Sequence, residues 1–139
     1  MQERFQDFTG GEKLVYSESE PRLFFAEQKR YYQSILNEND NVSSVRILGS
    51  YGRGDARNDS DLDTWITARD GTPFEVLYAL WRQDLNTRER YQLDHNNSLS
   101  QITRHGPSIF TDSETSAYLA GFIHRVAIPG AIGEQLFIK

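Results

Sequence analysis

Two aspartates, Asp61 and Asp63, stand one residue apart at the head of an apolar run ending in Trp65 and Ile66. Successive strand side chains point to opposite faces. Asp61, Asp63, Trp65 and Thr67 are therefore expected on one face, and Leu62, Thr64 and Ile66 on the other. Two carboxylates that close together repel each other and call for a cation, and a hard divalent ion with oxygen ligands is the usual answer. Just upstream, the run Val45-Arg-Ile-Leu48 ends in Gly49-Ser50. A Gly-Ser turn offers backbone N–H groups and a hydroxyl to phosphate oxygens, and a helix opening there would add its N-terminus to the anion site. Gly52 and Gly54 permit unusual backbone angles and close approach of a ligand. Arg53, between them, is placed to neutralise phosphate charge. Phosphoryl-type transfer needs this combination, because its barrier yields to charge neutralisation and in-line positioning rather than to covalent chemistry. Two divalent ions about 3.5–4 Å apart can clamp the attacking and leaving oxygens of such a displacement.

The surrounding pattern predicts the elements that would hold these groups. Gly10-Gly11 reads as a turn and Leu14 to Tyr16 as a short edge strand. A helix is expected from Pro21, with the proline in its first turn. Phe24, Phe25, Gln28, Tyr31, Tyr32, Ile35 and Leu36 recur at helical spacing, and both tyrosines are expected in the core. Asn37 to Asn41 ends that helix, and Val42 to Leu48 forms the first central strand. Asp55 to Ser60 connects to a second strand, Asp61 to Thr67. After a turn at Asp70-Gly71, Thr72-Pro-Phe-Glu75 has the form of a capping box with proline at the first helical position. The apolar stripe from Phe74 to Trp81 predicts a helix ending near Leu85-Asn86. Tyr91 to His95 is then expected as a third strand beside the second, with Leu99 to Thr103 and Ser108 to Thr111 as further short strands. A helix over Thr115 to Val126, capped by Asp112 or Ser113 and stopped at Pro129-Gly130, precedes a last strand over Gln135 to Ile138. This order predicts an α+β fold: a small mixed or antiparallel sheet with helices packed on one face.

The 139-residue length suits one domain over residues 1–139. A hydrophobic fraction of 37% with 25% charged residues fits a folded, soluble chain. The net charge of −5 gives no global basic footprint, so nucleic acid is not an expected partner. The absence of cysteine excludes disulfides, thiolate metal sites and cysteine nucleophiles. No apolar run approaches ~20 residues, so no membrane span is expected. The N-terminus has no signal-peptide core, and a cytoplasmic location is the expectation. His95, His105 and His124 lack metal-ligand spacing. The glycines match neither a dinucleotide fingerprint nor a P-loop.

The order Leu48-Gly49-Ser50, ten intervening residues, then Asp61-Leu62-Asp63 resembles the signature of the DNA polymerase beta-like nucleotidyltransferase superfamily. The fuller form, Gly-Ser-Tyr-Gly-Arg-Gly followed by Asp-Ser-Asp-Leu-Asp, is most similar to the minimal and antibiotic-modifying nucleotidyltransferases. The resemblance implies a nucleotidyltransferase fold. It also implies transfer of a nucleoside monophosphate from an NTP to an acceptor hydroxyl, on a small molecule or a protein, with release of pyrophosphate. Mg²⁺ or Mn²⁺ would be held by Asp61 and Asp63, and the nucleotide by Gly49 and Ser50, with Arg53 added from its position.

The family uses a third metal-binding and catalytic carboxylate on the strand after the helix. Asp94, 31 residues after Asp63, is the first choice. His95 interrupts the apolar flank usual there, and Asp112 is the fallback. Larger relatives add a helical acceptor-binding domain, for which this chain has little room. The alternative is therefore a catalytically impaired interaction module, or a subunit that acts with a partner protein. Oligomerisation is compatible with either.

Overall fold

The computed structural model describes residues 11–125 and 134–138, with side chains described for 20–120 and 135–138. Helix α1 (Gly11–Glu38) leads into strand β1 (Val42–Leu48), a one-turn helix α2 (Gly49–Arg53) and strand β2 (Asp63–Ala68). Helix α3 (Phe74–Asp94), strand β3 (Ser108–Thr111), helix α4 (Asp112–Arg125) and strand β4 (Glu134–Ile138) complete the order. The four strands form one mixed sheet in the order β3-β2-β1-β4. β1 is antiparallel to both β2 and β4, while β2 and β3 are parallel. The parallel pair needs a crossover, and α3 supplies it. This is the expected α+β class with a mixed sheet, but the helices do not all pack on one face: α1 and α3 cover one side and α4 the other.

The core lies between the sheet and the pair α1 and α3. Phe24, Tyr32 and Leu36 of α1, Val45 and Ile47 of β1, Ile66 of β2, and Leu80 and Tyr91 of α3 are all buried there. The even-numbered side of β2 faces these helices: Thr64 Oγ1 shares a 2.8 Å hydrogen bond with Tyr32 Oη. The odd-numbered side meets α4, where Trp65 Nε1 donates to Thr115 Oγ1 at 3.2 Å and Thr67 Oγ1 lies 3.0 Å from the same atom.

Several expectations are corrected. The helix expected from Pro21 starts at Gly11 and takes in the proposed edge strand, with Pro21 inside it. A three-residue apolar run carries no period that separates strand from helix. The capping box expected at Thr72 does not form. Pro73 is the N-cap of α3 without a side-chain bond, and Thr72 Oγ1 instead donates to the carbonyl of Arg69 at 2.6 Å. A reciprocal box forms at α4. There Thr111 N donates to Glu114 Oε1 at 2.9 Å, and Glu114 N to Thr111 Oγ1 at 3.3 Å.

The largest correction concerns α3, which runs two turns beyond its expected end and absorbs the strand expected over Tyr91 to His95. Its buried positions are Leu80, Asp84, Arg88 and Tyr91. That spacing of 4, 4 and 3 is helical, but two of its members are charged, which broke the apolar pattern. Asn96 and Asn97 then adopt positive φ (55° and 58°) and turn the chain away. Leu99 to Thr103 is bend and turn rather than strand, although Leu99 and Ile102 are fully buried. Pro129-Gly130 lies outside the described residues.

Candidate functional site

Leu48, the last residue of β1, is paired with Asp63, the first residue of β2. That register brings the start of α2 directly against the Asp63 carboxylate. Gly49 has φ +67°, and a Cβ built on it would stand 2.8 Å from Asp63 Oδ2. Only glycine fits both the left-handed backbone and the contact. The amides that open α2 have no intrahelical acceptor.

The short helix is held from below and at its end. Tyr51 is buried, with its ring 5.9 Å from that of Phe24 and 5.5 Å from that of Phe25. Gly54, at φ 90°, closes α2 by donating its N–H to the Ser50 carbonyl at 2.9 Å. Gln135 of β4 donates to the Gly52 carbonyl at 3.3 Å.

An open cleft of about 690 Å³ lies here, lined by Gly49, Arg53, Asp63, Trp65, His105 and Ser108 among others. Asp61 and Leu62 precede β2, and Asp61 is half-buried and close enough for its charge to act on Asp63. The Asp63 pKa is raised, chiefly by partial burial and then by the negative charge of Asp61, with His105 and Arg88 opposing. Arg53 sits at the rim in an exposed pair with Asp55 at 3.4 Å. Ser50 follows Gly49 in the first turn of α2 and is half-buried.

The sequence-predicted third carboxylates lie elsewhere. Asp94 ends α3 and lines a separate groove against α1, with Phe24, Glu27 and Tyr31. It was expected on a strand beside β2, but the strand in that place is β3, Ser-Ile-Phe-Thr, which carries no acid. Asp112 accepts a 3.2 Å hydrogen bond from Ser43 Oγ. Ser43 is five residues up β1 from Leu48, roughly 16 Å along the strand, so Asp112 stands at the other end of the sheet. Among the described residues, no three His, Cys, Asp or Glu side chains converge in a way that could hold a metal ion.

The carboxylates that are present suit one kind of ion. Mg²⁺ is commonly bound through one or two carboxylates together with substrate phosphates, and it keeps several waters. Asp63, which lines the cleft, and the like-charged Asp61 close to it fit an ion that arrives with a triphosphate. They do not make an all-protein cage.

Arg88 was not singled out from the sequence, yet it is central to the arrangement. It is fully buried. Its Nε donates to Asp84 Oδ1 at 2.6 Å. Its Nη1 reaches the carbonyls of Leu62 (3.0 Å), Ile102 (3.3 Å) and His105 (2.8 Å), and its Nη2 reaches Thr64 Oγ1 at 3.2 Å. One guanidinium therefore ties the Asp-Leu-Asp segment to the His105 loop across the cleft. The signal that could have found it is the i, i+4 spacing of Asp84 and Arg88.

With this geometry in view, comparison with protein families gives a match over residues 25–102 to the nucleotidyltransferase domain model. This chain belongs to that nucleotidyltransferase domain family. The matched segment covers more than half of the chain and contains Gly49, Ser50, Arg53, Asp61, Asp63 and Asp94. It stops short of His105, β3 and α4. Comparison with curated proteins and with solved structures returns no match. Among the described residues, no helix is long and apolar enough to cross a membrane.

Proposed function

We propose that this nucleotidyltransferase-family chain moves a nucleoside monophosphate from an NTP to an acceptor hydroxyl, with a divalent ion held by Asp61 and Asp63. The observation that carries the reading is the contact between Gly49 and Asp63. The turn suited to phosphate oxygens and the carboxylate suited to an ion stand so close that no Cβ would fit between them, so one triphosphate can engage both. When bound, the ion would neutralise phosphate charge and make the α-phosphorus more susceptible to attack. The Gly49 and Ser50 amides, with the Ser50 hydroxyl, would hold the β- and γ-phosphates, and Arg53 at the rim would balance their charge. The acceptor oxygen attacks the α-phosphorus and forms a new P–O bond. The α–β bridging bond breaks, pyrophosphate leaves with the electron pair, and the acceptor proton passes to solvent.

Asp61→Asn and Asp63→Asn should each lower pyrophosphate release by at least about 10²-fold, on the scale of losing a major electrostatic stabiliser of a transition state. Circular dichroism should show the fold unchanged. Release that persists in both variants at the wild-type rate would sink the reading.

A second reading has its own observation: among the described residues, no third acid converges with Asp61 and Asp63. It takes the chain as an interaction module, or as a subunit completed by a partner protein. Calorimetry with Mg²⁺ and ATP or GTP separates the two. Nucleotide binding without pyrophosphate release, restored by a co-purifying partner that gains nucleotide mass, would favour the subunit. Absence of nucleotide binding would favour the module.

A further inference from the structure

The cleft continues past Asp63 into an aromatic wall that none of the roles above uses. Trp65 follows Asp63 on the same face of β2, roughly 6.6 Å further along the strand. Its ring centroid lies 5.1 Å from that of Phe110 on β3 and 4.9 Å from that of Tyr118 on α4. Phe110 and Tyr118 are themselves 5.9 Å apart and inclined at 30°. All three line the same cleft as Gly49, Arg53 and Asp63.

The wall is fixed at its base and open at its surface. Trp65 is 5% exposed and locked by its indole hydrogen bond to Thr115, whereas Tyr118 is 52% exposed. Tyr118 thus packs on Trp65 and Phe110 while half of it stays exposed at the cleft. Trp65 lies within the segment matched to the family, whereas Phe110 and Tyr118 lie beyond it.

We propose that Trp65, Phe110 and Tyr118 form the platform on which the nucleobase of the bound NTP stacks. The inference rests on the nucleotide-binding reading above and adds to it. Three groups follow one another along the cleft: the opening of α2 with Arg53, then Asp63, then the aromatic rings. A nucleoside triphosphate has the same order, with an anionic chain, an α-phosphate and, one ribose further on, a flat ring. With the β- and γ-phosphates on Gly49 and Ser50 and the α-phosphate at Asp63, the base reaches the wall. The cleft volume of about 690 Å³ is in the range of sites that enclose a ligand of this size. Every base has a π-face, so stacking tolerates base identity, and ATP and GTP should bind with similar affinity.

The test is calorimetry on the full chain with Mg²⁺, comparing ATP with inorganic tripolyphosphate, which has the anionic chain and no base. Tyr118→Ala should weaken ATP about tenfold and leave tripolyphosphate within about twofold, while Tyr118→Phe should bind ATP like the wild type. Phe110→Ala should act in the same direction. Because Tyr118 is half exposed, its variants are the ones expected to keep the fold. A second readout uses Trp81→Phe, which leaves Trp65 as the one tryptophan of two: its fluorescence should be quenched by ATP and not by tripolyphosphate.

Equal loss of both ligands in Tyr118→Ala would mean a structural role and overturn the proposal. Unchanged ATP binding in Tyr118→Ala would overturn it too, while leaving the phosphate site standing. If the wild type binds neither ligand, the nucleotide-binding reading falls and the platform falls with it.

Discussion

Two charged clusters are neighbours on this scaffold, Arg88 bonding the Leu62 carbonyl between Asp61 and Asp63, and they are built in opposite ways. Asp84 and Arg88 are both fully buried, 2.6 Å apart. The remaining guanidinium donors are spent on three carbonyls and Thr64. Burial alone pushes the Asp84 carboxyl up, and the guanidinium beside it opposes this. Asp61 and Asp63, by contrast, are two like charges close together with Asp63 on an open cleft, and the charge of Asp61 makes Asp63 harder to ionise. His105 and Arg88 lower the Asp63 pKa, yet it remains raised, and Arg53 is paired with Asp55. The difference separates two uses of charge. The structural pair finds its opposite charge within the fold, whereas a pair meant for a ligand leaves its compensation to come from outside.

The sharpest way to break this comparison is Arg88→Met. It leaves Asp84 buried and unpaired and orphans the three carbonyls. A cost of about 3–5 kcal/mol in urea denaturation is expected, as for other broken buried pairs. Asp84→Leu combined with Arg88→Met should recover part of that loss, because the uncompensated charge is gone. A cost under about 1 kcal/mol for Arg88→Met would place the pair with ordinary surface salt bridges and remove the contrast.

Gly49→Ala probes the open cluster from its backbone side. The new methyl would meet Asp63 Oδ2 at 2.8 Å, on a residue held at φ +67°. Left-handed backbone costs a non-glycine residue about 1–2 kcal/mol, and the clash adds displacement of the carboxylate. The expected result is a stability loss of that order together with weaker binding of Mg²⁺ and ATP. Unchanged nucleotide binding would show that Gly49 and Asp63 do not act on one ligand.

The two clusters were also unequally legible in the sequence. Gly49, Asp61 and Asp63 sit in a local pattern of strand, turn and strand, and β1 was read to its observed ends, Val42 and Leu48. Asp84 and Arg88 occupy core positions with charged residues, so hydrophobic periodicity ended the helix too early, near Asn86. That single misreading turned Tyr91 to His95 into a strand and placed Asp94 beside β2. The strand that does lie there, β3, is only four residues long and sits after a loop anchored by buried Leu99 and Ile102 and held by Arg88. Its position depends on tertiary hydrogen bonds that no local period encodes. Thr72 and Thr111 make the same point on a smaller scale. Both precede Glu at the third position, and only Thr111 forms the box, because Pro73 shifts the start of α3.

The smallest expected effect concerns a third carboxylate, Asp70, which is compensated by hydrogen bonds alone. Its Oδ1 accepts from Ser113 N at 3.0 Å and its Oδ2 from Ser113 Oγ at 2.6 Å, at the start of α4. These bonds favour the charged form and lower its pKa, chiefly through the Ser113 hydroxyl and then its amide. A carboxyl whose folded pKa is depressed binds fewer protons folded than unfolded, so its stabilisation is complete above the unfolded value. It is lost as pH falls through the folded value. Asp63 has the opposite sign: with its pKa raised, it costs stability as pH rises from the ordinary carboxylate value through its own. Thermal melts across the acidic range should therefore show Asp70→Asn flattening the fall in stability toward low pH. Asp63→Asn should remove a decline toward neutral pH, and Mg²⁺ with ATP should remove that decline in the wild type without touching the Asp70 effect. If both substitutions changed the profile in the same direction, the distinction between a carboxylate satisfied by the fold and one left for a ligand would not hold.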